Sequence, residues 1–68
     1  MYERIRDLRE DAEKSQRELA NILGVSQATY SRYESGILDI PTDILLQLSD
    51  YYQVTVDYLL GRGGDRQP

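Results

Sequence analysis

A chain of 68 residues holds one domain at most, and at that length only about 60% of the surface exposed by the unfolded form is buried on folding. With no cysteine and no histidine, neither a disulfide framework nor a zinc site can staple the chain, so packed amphipathic helices must supply its stability. The net charge of −4 counts against a nucleic-acid partner, and no apolar run approaches the roughly 20 residues that span a bilayer.

Ile5, Leu8 and Ala12 recur at helical spacing among Arg, Asp and Glu, which predicts a first amphipathic helix from Tyr2 to about Ala12. The pattern breaks at Glu13 and Lys14. Ser15-Gln-Arg-Glu18 is a capping box, in which the Ser15 hydroxyl accepts the Glu18 N–H and the Glu18 carboxylate reaches back to the Ser15 N–H. A second helix starts there with Leu19, Ala20 and Leu23 on its apolar side. Gly24 ends it in a left-handed conformation, and Val25 then turns inward. Ser26 caps a third helix that runs to Ser35 and ends at Gly36. The turn between these two helices is only about three residues, so they cross steeply, and Ala20 is small where close approach is needed. Asp39 is expected to cap a fourth helix with Pro41 in its first turn and Ile44, Leu45, Leu48 and Tyr52 as its buried stripe. Thr55 caps a short fifth helix carrying Val56, Leu59 and Leu60, and Gly61 ends it. Residues 1–61 thus form the domain, and residues 62–68 have the composition of a flexible tail.

The chemistry of the chain gathers on the third helix. On a 100° wheel, Gln27, Ala28, Ser31, Arg32 and Ser35 share one side, while Tyr30 and Tyr33 lie on the other. One side is small and polar; the other is aromatic and suited to burial. The major groove of DNA admits a helix whose facing residues are not bulky. Gln pairs bidentately with adenine, Arg with guanine, and an alanine methyl can touch a thymine methyl.

The run Ser15-Gln-Arg-Glu-Leu-Ala-Asn-Ile-Leu-Gly-Val-Ser-Gln-Ala-Thr-Tyr-Ser-Arg-Tyr-Glu-Ser-Gly36 closely resembles the lambda-repressor-like helix-turn-helix of Xre-type regulators and phage repressors. Ile5-Arg-Asp-Leu-Arg9 is similar to that family's first helix, and Asp39-Ile-Pro41 through Val56-Asp-Tyr-Leu-Leu-Gly61 to its fourth and fifth. The resemblance implies an all-α, compact five-helix DNA-binding domain. It also implies a homodimer on a pseudo-palindromic double-stranded operator, acting as a repressor. It assigns phosphate contact to Gln16, which also braces the first reader residue. Base-reading positions fall on Gln27, Ala28 and Arg32, with Thr29 and Ser31 flanking them as phosphate or base contacts. It places Tyr30 in the core with Tyr33, and it pairs Arg9 with Glu34 in a salt bridge. Many relatives carry an apolar residue where Lys14 stands, so Lys14 is read as approaching the DNA backbone. Many also carry Lys or Arg just after the glycine, where this chain has Ile37, Leu38 and Asp39. The phosphate grip of each subunit is therefore expected to be sparse.

The charge is unevenly spread: six bases match six acids up to Tyr33, whereas Glu34 to Leu60 contains five acids and no base. A DNA-facing front with an acidic back fits this asymmetry, and so does a plain solvated surface. Arg4, Arg6 and Arg17 are read as mostly solvated, with contact to DNA as the lesser reading for each. Ile37, Leu38, Tyr51, Tyr58 and Leu60 are the apolar candidates for a self-interface. Glu10-Asp11 has no nucleophile or histidine around it, which argues against an enzyme, and nothing calls for a cofactor or metal. A cytoplasmic location without membrane contact is expected. Two alternatives stay open: a protein-binding module of antitoxin or immunity type with the same fold, favoured by the acidic balance, and the DNA-binding part of a longer repressor.

Overall fold

In the computed structural model, which describes residues 3–61, the chain folds into five α-helices: α1 (Glu3–Asp11), α2 (Gln16–Leu23), α3 (Gln27–Ser35), α4 (Thr42–Tyr52) and α5 (Val56–Leu59). The described residues contain no strand. Tyr2 and the expected tail, residues 62–68, lie outside them.

Local chemistry sets most of the boundaries. Both halves of the capping box form at α2: the Glu18 N–H donates to Ser15 Oγ at 3.1 Å, and the Ser15 N–H donates to Glu18 Oε1 at 2.9 Å. At the other end Gly24 has φ 74°, and the Val25 N–H donates back to the Ala20 carbonyl at 3.0 Å, closing a Schellman turn. Ser26 caps α3 by accepting the Thr29 N–H, and Thr55 caps α5 by accepting the Tyr58 N–H.

Three expectations need correction. First, α1 stops at Asp11, so Ala12 is exposed and does not extend the apolar stripe; Glu13 turns the chain with φ 58°. Second, Asp39 does not cap α4. A proline disfavours helical backbone in the residue before it, so Ile40 stays outside the helix and is buried in the core, and α4 begins only after Pro41, which is extended and offers no side-chain cap. Third, Tyr58 is half-buried beneath Arg4 and is not an open apolar residue. Leu60 caps the end of α5 and is exposed.

One core joins all five helices: Ile5 and Leu8 from α1, Leu19, Ala20 and Leu23 from α2, Tyr30 and Tyr33 from α3, Ile44 and Leu48 from α4, and Leu59 from α5, with Ile40 and Val54 from the connections. Val25, Leu45, Tyr52 and Tyr58 flank it, partly buried. α2 rests on α3, α1 touches α3 and α5, and α4 bridges α2 and α5. Arg4 fastens α1 to α5. Its guanidinium lies 4.4 Å from the centroid of the Tyr58 ring and donates to the Tyr58 carbonyl at 3.2 Å.

Two turns with positive φ carry opposite residue choices. Gly24 suits the left-handed region, whereas Gln53, at φ 56°, occupies it at the end of α4 with a full side chain. An added Cβ at Gly24 meets nothing within 4 Å, so only backbone strain opposes it. Gly24→Ala is expected to lower the unfolding free energy by about 1 kcal/mol, and Gln53→Gly to raise it by about 1 kcal/mol, both read from urea denaturation.

Candidate nucleic-acid interface

The third helix is divided between two environments. Tyr30, Tyr33 and Glu34 are buried, with Tyr30 at 0% exposure, while Gln27, Ala28, Arg32 and Ser35 are exposed and Thr29 and Ser31 half-exposed. The outward crest therefore holds side chains no larger than glutamine except for one arginine. Arg32 forms no salt bridge among the described residues, so its guanidinium faces solvent uncommitted. Thr29 is held at the first turn by its backbone N–H and by its hydroxyl, which accepts from Ser26 Oγ at 2.9 Å. Ser35 turns its hydroxyl back onto the Arg32 carbonyl.

Behind this crest a polar network fixes the helix in place. Arg9 Nε donates to Glu34 Oε2 at 2.7 Å and Arg9 Nη2 to Oε1 at 3.2 Å, a bidentate pair whose side chains are 13% and 6% exposed. Arg9 Nη1 also donates to the Lys14 carbonyl at 2.9 Å, and Gln16 Nε2 donates to Glu34 Oε1 at 3.1 Å. The ion pair thus gathers α1, the turn after it, the first residue of α2, and α3. Burial pushes the Glu34 carboxyl up, but the hydrogen bonds from Arg9 and Gln16 outweigh it and hold the group below the usual carboxylate range. Burial raises the Tyr30 phenol well above its ordinary value. Its hydroxyl feels the Glu34 charge but has no partner in hydrogen-bonding geometry.

The remaining residues singled out from the sequence lie around this network. Gln16 is half-buried at the start of α2, and its side-chain amide donates to Glu34. Lys14 lies in the preceding turn, half-buried, with Nζ 4.0 Å from Glu18 Oε2. Ser15 and Glu18 are occupied with each other in the cap. The sequence reading missed the roles of Arg4 and Gln16 in holding elements together. Arg4 and its partner Tyr58 are 54 positions apart, and Gln16 and Glu34 are 18 apart, so no local pattern announces either contact.

A paired helix, tight turn and outward-facing helix of this kind define a helix-turn-helix. The sequence profile described as Helix-turn-helix matches residues 5–59, and the chain belongs to that family. It is similar to the HTH-type transcriptional regulator ImmR of Bacillus subtilis (strain 168), 41% identical over 59 residues, which cover 87% of this chain and 46% of ImmR. It is also 34% identical over 61 residues to RstR, the cryptic phage CTXphi transcriptional repressor of Vibrio cholerae, covering 88% of this chain and 54% of that one. The chain spans about half the length of the curated relatives it matches. Among solved structures, the P22 c2 repressor protein in complex with a synthetic operator superposes with a TM-score of 0.81 at 34% identity, over 90% of this chain and 92% of that one.

The network makes stability depend on pH in a defined direction. The folded state holds the Glu34 proton less tightly than the unfolded chain does. The stabilisation is therefore present above the ordinary value of 4.5 and is lost as pH falls through the lower folded-state value. Glu34→Gln strands the Arg9 guanidinium and is expected to lower stability by about 3 kcal/mol at neutral pH. In urea unfolding followed from pH 7 to pH 3, the variant is expected to lose less stability with acid than the unsubstituted chain. An equally steep acid limb in both would show that Glu34 is not the titrating group.

Proposed function

We propose that this chain is a sequence-specific, double-stranded DNA-binding transcriptional regulator, acting as a repressor, that reads the major groove with α3. The observation that carries the reading is the outward crest of α3, where Gln27, Ala28 and Arg32 stand exposed and no bulky side chain blocks a groove. Gln27 and Arg32 offer paired hydrogen bonds to base edges, and the Ala28 methyl offers a contact to thymine. Thr29 and Ser31 flank them, while Gln16 and Lys14 meet the backbone beside the start of α2. The superposition on a repressor in complex with a synthetic operator supports this orientation.

The chain works as a two-fold homodimer on a pseudo-palindromic operator. One reading helix contacts too few base pairs for tight specificity, so two half-sites about 34 Å apart are needed. Ile37, at 78% exposure, with Leu38, Tyr51 and Leu60, provides apolar surface for self-association. The protein acts by occupancy in the cytoplasm and is a binding protein, not an enzyme; no described helix is long and apolar enough to cross a membrane.

Selection from random duplexes followed by fluorescence anisotropy tests the reading. A dimer making about 4–6 phosphate contacts is expected to give a log–log salt slope near −4 to −5. Absence of salt-sensitive duplex binding at low ionic strength would sink the proposal. On a selected site, Arg32→Ala is expected to cost roughly 1–3 kcal/mol and relax preference at one base pair, whereas Gln16→Ala weakens all sequences alike. Equal losses on selected and random DNA for Arg32→Ala would remove that residue from base reading.

A further inference from the structure

The polar network around Glu34 is one hydrogen bond short of full, and two buried phenols stand beside it. A carboxylate offers about four lone-pair sites. At Glu34 three are used: Oε2 accepts from Arg9 Nε, and Oε1 accepts from Arg9 Nη2 and from Gln16 Nε2. One lone pair of Oε2 stays open. The hydroxyls of Tyr30 and Tyr52 are both buried, and neither meets a partner in hydrogen-bonding geometry. Burial raises both phenols well above their ordinary value, so both keep their protons as donors, and both feel the charges of Glu34 and Arg9.

We propose that Tyr52 is a positioning residue for the reading helix: its hydroxyl donates to Tyr30 Oη, Tyr30 donates to the open lone pair of Glu34, and α4 is thereby latched to α3. The inference rests on the DNA reading above. It extends to a fourth helix the constraint that keeps Gln27, Ala28 and Arg32 on the outward crest.

The order of the relay follows from position. Tyr30 and Glu34 are four residues apart on α3 and therefore share one face of the helix, one turn from each other. Tyr30 is thus the phenol that reaches the carboxylate. Once it has taken the open lone pair, the acceptor that the network leaves for Tyr52, in the last turn of α4, is the Tyr30 oxygen itself. The hydroxyls need one another, because a buried hydroxyl left unpaired bears the whole loss of its hydration. The ring of Tyr52 is also held in advance. Tyr51 packs edge-on against it with centroids 5.0 Å apart and planes at 73°, and the core lies against it as well, so little freedom is lost when its hydroxyl bonds.

Base reading depends on how α3 is turned, whereas contact with backbone phosphates carries no sequence information. Loss of the latch is therefore expected to show in discrimination between sequences. The test uses the full chain with a duplex recovered by selection and a random duplex. Tyr52→Phe keeps the ring and removes only the hydroxyl; urea unfolding checks that the variant is folded. It is expected to bind the selected duplex about 2- to 30-fold more weakly and the random duplex as before. Because Tyr52 acts through Tyr30, Tyr30→Phe is expected to weaken the selected duplex too, and adding Tyr52→Phe to it to weaken it no further. Proton NMR of the unsubstituted chain in water is expected to show two slowly exchanging phenolic hydroxyl protons with a cross-peak between them. An unchanged ratio of selected to random affinity in Tyr52→Phe, additive losses in the double variant, or no cross-peak between the hydroxyl protons overturns the role of Tyr52 and leaves the DNA reading intact. Failure of the unsubstituted chain to bind any duplex in a salt-sensitive way overturns that reading and, with it, the positioning of a reading helix.

Discussion

The Arg9–Glu34 ion pair is the constraint on which the rest of the molecule depends. A chain of this size has little apolar area to spend on orienting its helices, and the core residues of α3 are two tyrosines whose rings fix its depth but not its rotation. The bidentate pair adds what the rings lack. Two parallel N–H···O bonds tolerate little rotation of α3 about its own axis, so they set which of its residues face outward. Such a buried pair is not a large net gain in stability against apolar residues of the same size, because both charges lose their water. Its contribution is geometric. Arg9 also reaches the Lys14 carbonyl, and Gln16 reaches the same carboxylate, so the turn between α1 and α2 is set by the groups that set α3.

Much of the fold was legible because its signals are local. The capping box at Ser15, the glycine after Leu23 and the serine before Gln27 each specify a boundary within four residues, and all three boundaries form as read. Asp39 was misread because two local rules compete there: aspartate caps well, but the proline two residues on and the burial of Ile40 keep Ile40 out of the helix. Gln53 carries no warning at all. Its left-handed backbone is demanded by the turn from α4 into Val54, whose N–H donates to the Ser49 carbonyl, and that demand is tertiary. Of the interface, the division of α3 into two faces follows from periodicity alone. The Gln16–Glu34 contact does not, since it exists only once α2 lies against α3.

Charge and shape work at different ranges in this molecule. The acids of the C-terminal half repel a polyanion at a distance, an effect that salt screens over roughly 8–10 Å. The groups beside α3 act at contact, where each bonded partner matters more than the overall sum. A net charge of −4 is therefore compatible with an anionic partner when the excess of acids over bases lies beyond Tyr33 and the bases are placed mainly along α1, α2 and α3.

The division of α3 also separates what selection can alter. Tyr30, Tyr33 and Glu34 carry the folding of the helix, while Gln27, Ala28 and Arg32 contribute almost nothing to the core. Substitutions at those three exposed positions leave the scaffold standing, as surface changes away from structural features usually do. Under the proposed reading of DNA by α3, descendants of such a chain are free to diverge in what they recognise one residue at a time, without passing through an unfolded ancestor.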